Sequence, residues 1–127
     1  MKKQLVDEWL ERGKKDLETV KILLAKVDYF DIILFHIHQA VEKYLKGFLI
    51  YNGWKLKKIH DLELLITEAI KFDTFFQKYL DFGRKLTAFY FEERYPPGPK
   101  SSYSEDEVKD LLKKAEEIIM KINLVYK

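Results

Sequence analysis

Apolar residues recur at helical spacing along most of the chain, and prolines occur in only one short segment. The longest apolar stretch, residues 30–51, covers a wide apolar surface when plotted at about 100° per residue. Four of its polar residues, His36, Gln39, Lys43 and Lys46, fall together on one narrow stripe, with Glu42 beside it. We therefore predict a central helix over residues 30–51 that contacts neighbours on most sides and carries a candidate site on its polar stripe.

The remaining apolar patterns predict further helices on both sides of the central one. Helical spacing extends over residues 4–26, 62–70, 72–91 and 108–122. We expect the helix over residues 72–91 to break or shift near Gly83, because glycine weakens a helix interior. The prolines between residues 96 and 99 mark a loop. The prediction is an all-α fold, an antiparallel up-and-down helical bundle of four long helices plus one shorter helix.

Several predicted helix ends carry capping residues. We expect Asp31 and Asp61 to cap the central and third helices, because an aspartate oxygen accepts hydrogen bonds from the free N–H groups of a first turn. Gly53 is expected to end the central helix. Ser104 and Glu107 have the spacing of a capping box and predict where the last helix begins.

The composition is that of one folded domain, which we place over residues 1–127. Hydrophobic residues make up 47% of the 127 positions, which excludes a disordered chain. The 23 basic and 21 acidic residues leave a net charge of only +2, which argues against a dedicated nucleic-acid coat protein. A local basic patch stays open as an alternative.

The sequence contains neither cysteine nor a long apolar run. Without cysteine, disulfides and cysteine–zinc sites are excluded. No stretch has the ~18 uninterrupted apolar residues of a membrane span, and the first residues carry charges where a signal peptide has its apolar run. We therefore expect a cytoplasmic protein without membrane contact.

The polar stripe of the central helix is the first candidate binding site. His36, Gln39 and Lys43 place an acid/base group, an amide and a cation in one line, a set suited to binding phosphate. The alternative is that the stripe is only the solvent face of an otherwise buried helix. Glu42 and Lys46 have the spacing of an ordinary ion pair.

Two later segments provide further candidates. His60 and Asp61 lie at a loop-to-helix junction after three lysines, and a helix N-terminus beside basic residues suits an anion. The alternative is that Asp61 is only a cap. Arg94 can make bidentate contacts with phosphate or carboxylate, and Tyr95 can stack on a base. The alternative for Arg94 is that it satisfies carbonyl groups at the end of its helix.

The histidines do not predict a metal site. His36 and His38 point to different sides of the central helix, so they cannot chelate one ion from a regular helix. Together with His60 they form no known metal-binding motif. We expect no metal and no cofactor.

The sequence also resembles a known family, the HEPN domain (higher eukaryotes and prokaryotes nucleotide-binding). The resemblance rests on four segments in order, FHIHQAVEKYLKGFLIYNG, KKIHDL, FYFEERYPPG and a serine-capped helix with KKAEEI. It covers nearly the whole chain, and its most specific parts are QAVEKYLKG, HDL and RYP. It implies a helical bundle whose candidate ligand-binding residues are Gln39, Lys43, His60, Asp61, Arg94 and Tyr95.

The resemblance implies two kinds of function. Small prokaryotic HEPN proteins are often one half of a two-gene module with a minimal nucleotidyltransferase, and many HEPN proteins are dimeric ribonucleases of toxin–antitoxin and defence systems. The ribonucleases use an arginine, four to six further residues and then a histidine. The arginines of this chain, Arg12, Arg84 and Arg94, have no histidine at that spacing.

The missing ribonuclease motif favours a binding protein over an enzyme. We expect a nucleotide- or substrate-binding helical partner of a minimal nucleotidyltransferase, with a nucleotide or RNA as ligand. The alternative is a HEPN ribonuclease toxin with a non-standard catalytic set, such as Arg94 with His36 or His60. The aromatic load of nine Phe, eight Tyr and two Trp further predicts an exposed apolar patch and a homodimer.

Overall fold

The computed structural model describes residues 2–93 and 103–126, and within these ranges every regular element is helical. The helices are α1 (Lys2–Lys26), α2 (Phe30–Tyr51), α3 (Leu62–Ile70), a 3₁₀ helix (Thr74–Tyr79), α4 (Leu80–Glu93) and α5 (Glu105–Tyr126). The predicted all-α fold is confirmed, with the 3₁₀ helix as an additional element. None of the described helices is long and apolar enough to cross a membrane.

The central position of α2 follows from its apolar surface, as predicted. α2 packs against all four other α-helices, and α1 makes its main contacts with α2. Ile33, Ile37 and Leu45 are fully buried in one continuous core. The apolar faces of α3 and α5 complete this core with Leu65 and Ile118 among their buried residues.

Two glycines allow α1 to lie very close to α2. A Cβ atom at Gly13 would come within 2.7 Å of the Tyr44 ring, and one at Gly47 would come within 2.8 Å of Leu10. Real Cβ contacts of this length essentially do not occur, so a larger residue at either position would force the facing side chain to move. The close approach brings the side chains of α1 onto the polar face of α2.

Most predicted helix ends are confirmed. Asp61 accepts hydrogen bonds from the backbone N–H groups of Glu63 and Leu64. The hydroxyl of Thr87 on α4 accepts a bond of 2.8 Å from the N–H of Leu62, so α4 also supports the start of α3. Ser104 and Glu107 form the expected reciprocal capping box.

Gly53 ends α2 as predicted, and its backbone explains why. It has φ of 97°, a left-handed conformation that favours glycine. The N–H of Trp54 reaches back to the carbonyl of Leu49 at 2.9 Å, and that of Gly53 bonds the carbonyl of Ile50 at 3.0 Å. These two bonds form a Schellman motif.

The predicted cap at Asp31 is wrong. The residue before the first turn of α2 is Tyr29, which makes no side-chain capping bond. Asp31 lies inside the first turn, where its carboxylate accepts a bond from the N–H of Ile32. In this position its negative charge still interacts favourably with the positive end of the helix dipole.

The predicted break within residues 72–91 is present, but it does not lie at Gly83. The change of helix type lies earlier, where the 3₁₀ helix ends at Tyr79 and α4 begins. Asp73 caps the 3₁₀ helix by accepting a bond from the N–H of Phe75 at 2.9 Å. α4 continues through Gly83. A Cβ atom at this position would lie 3.2 Å from the backbone of Leu62, so glycine allows α3 and α4 to pack closely.

Candidate functional site

Two polar clusters lie on neighbouring sides of α2. The first, which we call the α1-side cluster, consists of Asp16, His36 and Lys43. The second, the α3-side cluster, consists of His38, Glu42, Lys46 and His60. The structure therefore divides the polar stripe predicted from the sequence between two carboxylates.

Asp16 organises the α1-side cluster from the facing helix. Its carboxylate lies 2.6 Å from the Lys43 ammonium and 3.3 Å from Nδ1 of His36. All three side chains are half-buried, with Lys43 24% exposed. The predicted alternative of a bare solvent face is therefore not what the structure shows, because α1 covers part of it.

Glu42 organises the α3-side cluster, and it is buried. Its carboxylate lies 2.9 Å from the Lys46 ammonium, and both of its oxygens lie within 3.2 Å of Nδ1 of His60. The side chains of Glu42 and Lys46 are 4% and 3% exposed, whereas that of His60 is 46% exposed. A buried ion pair thus supports a histidine that reaches solvent.

Aromatic rings enclose this buried pair. The Lys46 ammonium lies 5.4 Å from the centre of the Trp9 ring, a distance at which the ring attracts a cation. Tyr90 of α4 stacks on His38 with ring centres 4.1 Å apart, and on His60 with ring centres 5.9 Å apart. α1, α2, α4 and the segment before α3 therefore all contribute to the α3-side cluster.

His38 is the fully buried member of the cluster. Within the described residues neither of its ring nitrogens makes a hydrogen bond of good geometry, and Nδ1 lies 3.7 Å from Glu42. The pKa of His38 is lowered to about 3, mainly by burial and also by the charges of His60 and Lys46, while the backbone of His60 acts in the opposite direction. The imidazole is therefore neutral near pH 7.

The remaining predicted site residues have different outcomes. Gln39 is half-buried on α2, between the two clusters in helical order. Asp61 caps α3, which is the structural role that the sequence left open. Lys43 and His60 contact different carboxylates, so the described residues do not join them in one cluster. Arg94 and Tyr95 lie outside the described residues, and their part in a site stays a prediction.

Sequence reasoning missed several members of these clusters. Glu42 and Lys46 were correctly paired by their spacing, but their burial needs Trp9 and His60, which are distant in sequence. The sequence did contain a useful signal, because a charged pair within a long and largely apolar helix has little contact with solvent. Asp16 had no local signal at all.

Within the part of the chain that is described, no group of three or more acidic, histidine or cysteine residues could hold a metal ion.

Fold and site together define a helical-bundle protein whose central helix carries one buried and one half-buried polar cluster. The chain matches the family model of the HEPN domain over residues 6–125 and therefore belongs to the HEPN family. No curated protein and no solved structure matches the chain.

Proposed function

We propose that this HEPN protein is a nucleotide- or substrate-binding partner of a minimal nucleotidyltransferase in a two-gene module of toxin–antitoxin type. The observation that carries the proposal is the meeting of two separate motif segments. Nδ1 of His60 in the HDL segment contacts the carboxylate of Glu42 in the QAVEKYLKG segment, which also binds Lys46, and the His60 side chain is 46% exposed. A half-exposed histidine held by a buried ion pair is a preformed polar contact for a ligand.

The charges of the described clusters limit how a phosphate would bind. Lys43 is paired with Asp16, and Lys46 with Glu42, so neither lysine offers an uncompensated positive charge. In our proposal Arg94 supplies the charge for the phosphate, and Tyr95 stacks on the base. His60 then contacts the sugar or base.

Calorimetric titration with ATP and with a short RNA tests this site. We expect His60→Ala and Arg94→Ala to weaken binding at least tenfold. Lys43→Ala should weaken it less, because Lys43 is already paired with Asp16. Binding should fall as salt rises from about 0.05 M to 0.5 M, since arginine contacts with phosphate are screened. Lys113→Ala, an exposed lysine on α5, is the matched control and should bind like the unchanged protein. Equal binding in all variants would remove the site.

The partner is tested separately. If a minimal nucleotidyltransferase is encoded beside this protein, we expect the two to elute together after co-expression. Separate elution at micromolar concentration would argue against the two-gene module, while leaving the ligand site unaffected.

One observation favours the alternative function, an RNA-cleaving HEPN toxin. Nδ1 of His60 contacts a carboxylate, the arrangement that orients a histidine as a general base. We expect no cleavage of single-stranded RNA, because the spaced arginine and histidine are absent. Cleavage by nuclease-free protein that is lost in His60→Ala would instead establish the enzyme.

We also propose that the protein forms a homodimer. Ile22 on α1, and Met120 and Leu124 on α5, are each more than half exposed. A contiguous exposed apolar patch is typical of an interface, and in our proposal these side chains belong to one. For a stable dimer, light scattering at roughly tens of micromolar protein should give twice the mass of one chain. A monomer at that concentration would contradict the proposal.

A further inference from the structure

The contact between Glu42 and His60 determines where the histidine carries its proton. Nδ1 of His60 lies 3.2 Å and 3.1 Å from the two oxygens of Glu42. A carboxylate only accepts hydrogen bonds, so the donor in this contact is Nδ1–H. The proton of a neutral His60 ring is then on Nδ1, and Nε2 carries a lone pair.

The carboxylate that makes this contact is held in place. Glu42 is 4% exposed, and it also contacts the Lys46 ammonium, which is itself 3% exposed. If either side chain turned away, the other charge would stay buried without a partner, which is costly. The two side chains therefore hold each other in place. His38 does not compete for the carboxylate by hydrogen bonding, because its Nδ1 lies 3.7 Å away.

The other edge of the His60 ring makes no hydrogen bond with the described residues. The side chain is 46% exposed, and the hydrogen bonds that His60 makes with described residues involve Nδ1 alone. Tyr90 stacks on the ring face at 5.9 Å and restricts its rotation. The ring therefore has its Nδ1 edge on Glu42 and leaves Nε2 unbonded among the described residues, on a side chain that is 46% exposed.

We propose that Glu42, neutralised by Lys46, is a positioning residue that holds His60 as the Nδ1–H tautomer and presents Nε2 as a hydrogen-bond acceptor to the ligand. An acceptor nitrogen binds a group that donates, such as a ribose hydroxyl or the amino group of a base, and does not bind an unprotonated phosphate oxygen. His60 would then contact the nucleoside part of the ligand and not its phosphate. Only this last step rests on the proposed function.

The tautomer can be measured without any ligand. In protein labelled with ¹⁵N-histidine, long-range ¹H–¹⁵N correlation distinguishes a protonated ring nitrogen from one with a lone pair. In the neutral form of His60 we expect a protonated Nδ1 and an unprotonated Nε2. A wild-type protein in which Nε2 carries the proton overturns the proposal, and this measurement needs no variant.

A double variant tests whether Glu42 is the cause. Glu42→Leu with Lys46→Met replaces the buried pair by apolar side chains of similar size and leaves no unpaired charge, so the helix is expected to fold. The single tautomer of His60 should be lost in this variant. Lys43→Met in the α1-side cluster is the control and should leave the His60 signals unchanged. A double variant with native circular dichroism and an unchanged tautomer contradicts the role of Glu42.

ATP binding connects the tautomer with the ligand. If Glu42 acts through His60, the double variant and His60→Ala should weaken ATP binding by similar factors, and combining them should cause no further loss. Independent, multiplying losses would show that Glu42 does not act through His60. If the wild-type protein does not bind ATP at all, the proposed function fails, while the tautomer measurement still decides the inference.

Discussion

The two clusters on α2 contain the same chemistry in different surroundings. Each joins a carboxylate to a lysine and a histidine, and each has a lysine–carboxylate distance below 3 Å. In the α1-side cluster, Asp16 and Lys43 are 14% and 24% exposed, whereas Glu42 and Lys46 are almost fully buried. The same residue types should therefore contribute very differently to stability, because water can replace a lost partner only where it reaches the cluster.

The largest effect is expected from Glu42→Ala. The substitution leaves the buried Lys46 ammonium without a carboxylate, which typically costs about 3–5 kcal/mol of unfolding free energy. Urea unfolding followed by circular dichroism measures this loss. The variant Glu42→Leu with Lys46→Met, which removes both charges, should recover most of it. A loss below about 1 kcal/mol for Glu42→Ala would show that the α3-side cluster is as open to water as the other.

The second effect is a dependence of stability on pH that originates in the α3-side cluster. The pKa of His38 is about 3 in the folded protein and has its ordinary value of 6.5 in the unfolded chain, so the unfolded chain binds more protons between these two pH values. Stability contributed by the neutral ring is therefore present above pH 6.5 and is lost as pH falls. From pH 7.5 to pH 5 the loss attributable to His38 is about 2 kcal/mol.

Histidine variants separate this contribution from others. His38→Phe keeps an aromatic ring against Tyr90 and should remove the part of the pH dependence that His38 causes. His36→Gln in the α1-side cluster should retain that part. Urea unfolding at both pH values measures each variant. The same decrease of stability in wild type and His38→Phe would contradict the assignment.

The comparison also explains what the sequence can and cannot predict. The bounds of α2 and α3 follow from local apolar spacing and from Gly53 and Asp61 at their ends. The i, i+4 spacing of Glu42 and Lys46 predicts a pair in the same way. The burial of that pair depends on Trp9, which a close contact between α1 and α2 places above it. Such a contact has no signature within one helix.

The α1-side cluster and the start of α4 show the same limit. Asp16 lies 20 residues before His36, and only the packing of α1 on α2 brings the two together. Residues 72–91 have helical spacing, yet the first part is a 3₁₀ helix that Asp73 caps through the N–H of Phe75. Apolar periodicity does not distinguish these two helix types over a single turn.

The smallest effect is expected from breaking the α1-side cluster. In Asp16→Ala, the Lys43 ammonium loses its partner at 2.6 Å, but its side chain is 24% exposed and can turn toward water. We therefore expect a loss of about 1 kcal/mol of unfolding free energy.

A double-mutant cycle makes the comparison quantitative. The coupling between Asp16→Ala and Lys43→Ala should be about 0.5–1 kcal/mol and should decrease in 1 M NaCl, since salt screens accessible charges. The coupling between Glu42→Ala and Lys46→Ala should be larger and should change little with salt, because ions do not reach a buried pair. Equal couplings with equal salt dependence would mean that burial does not separate the two clusters, and His60 would then lose the rigid support that its proposed role requires.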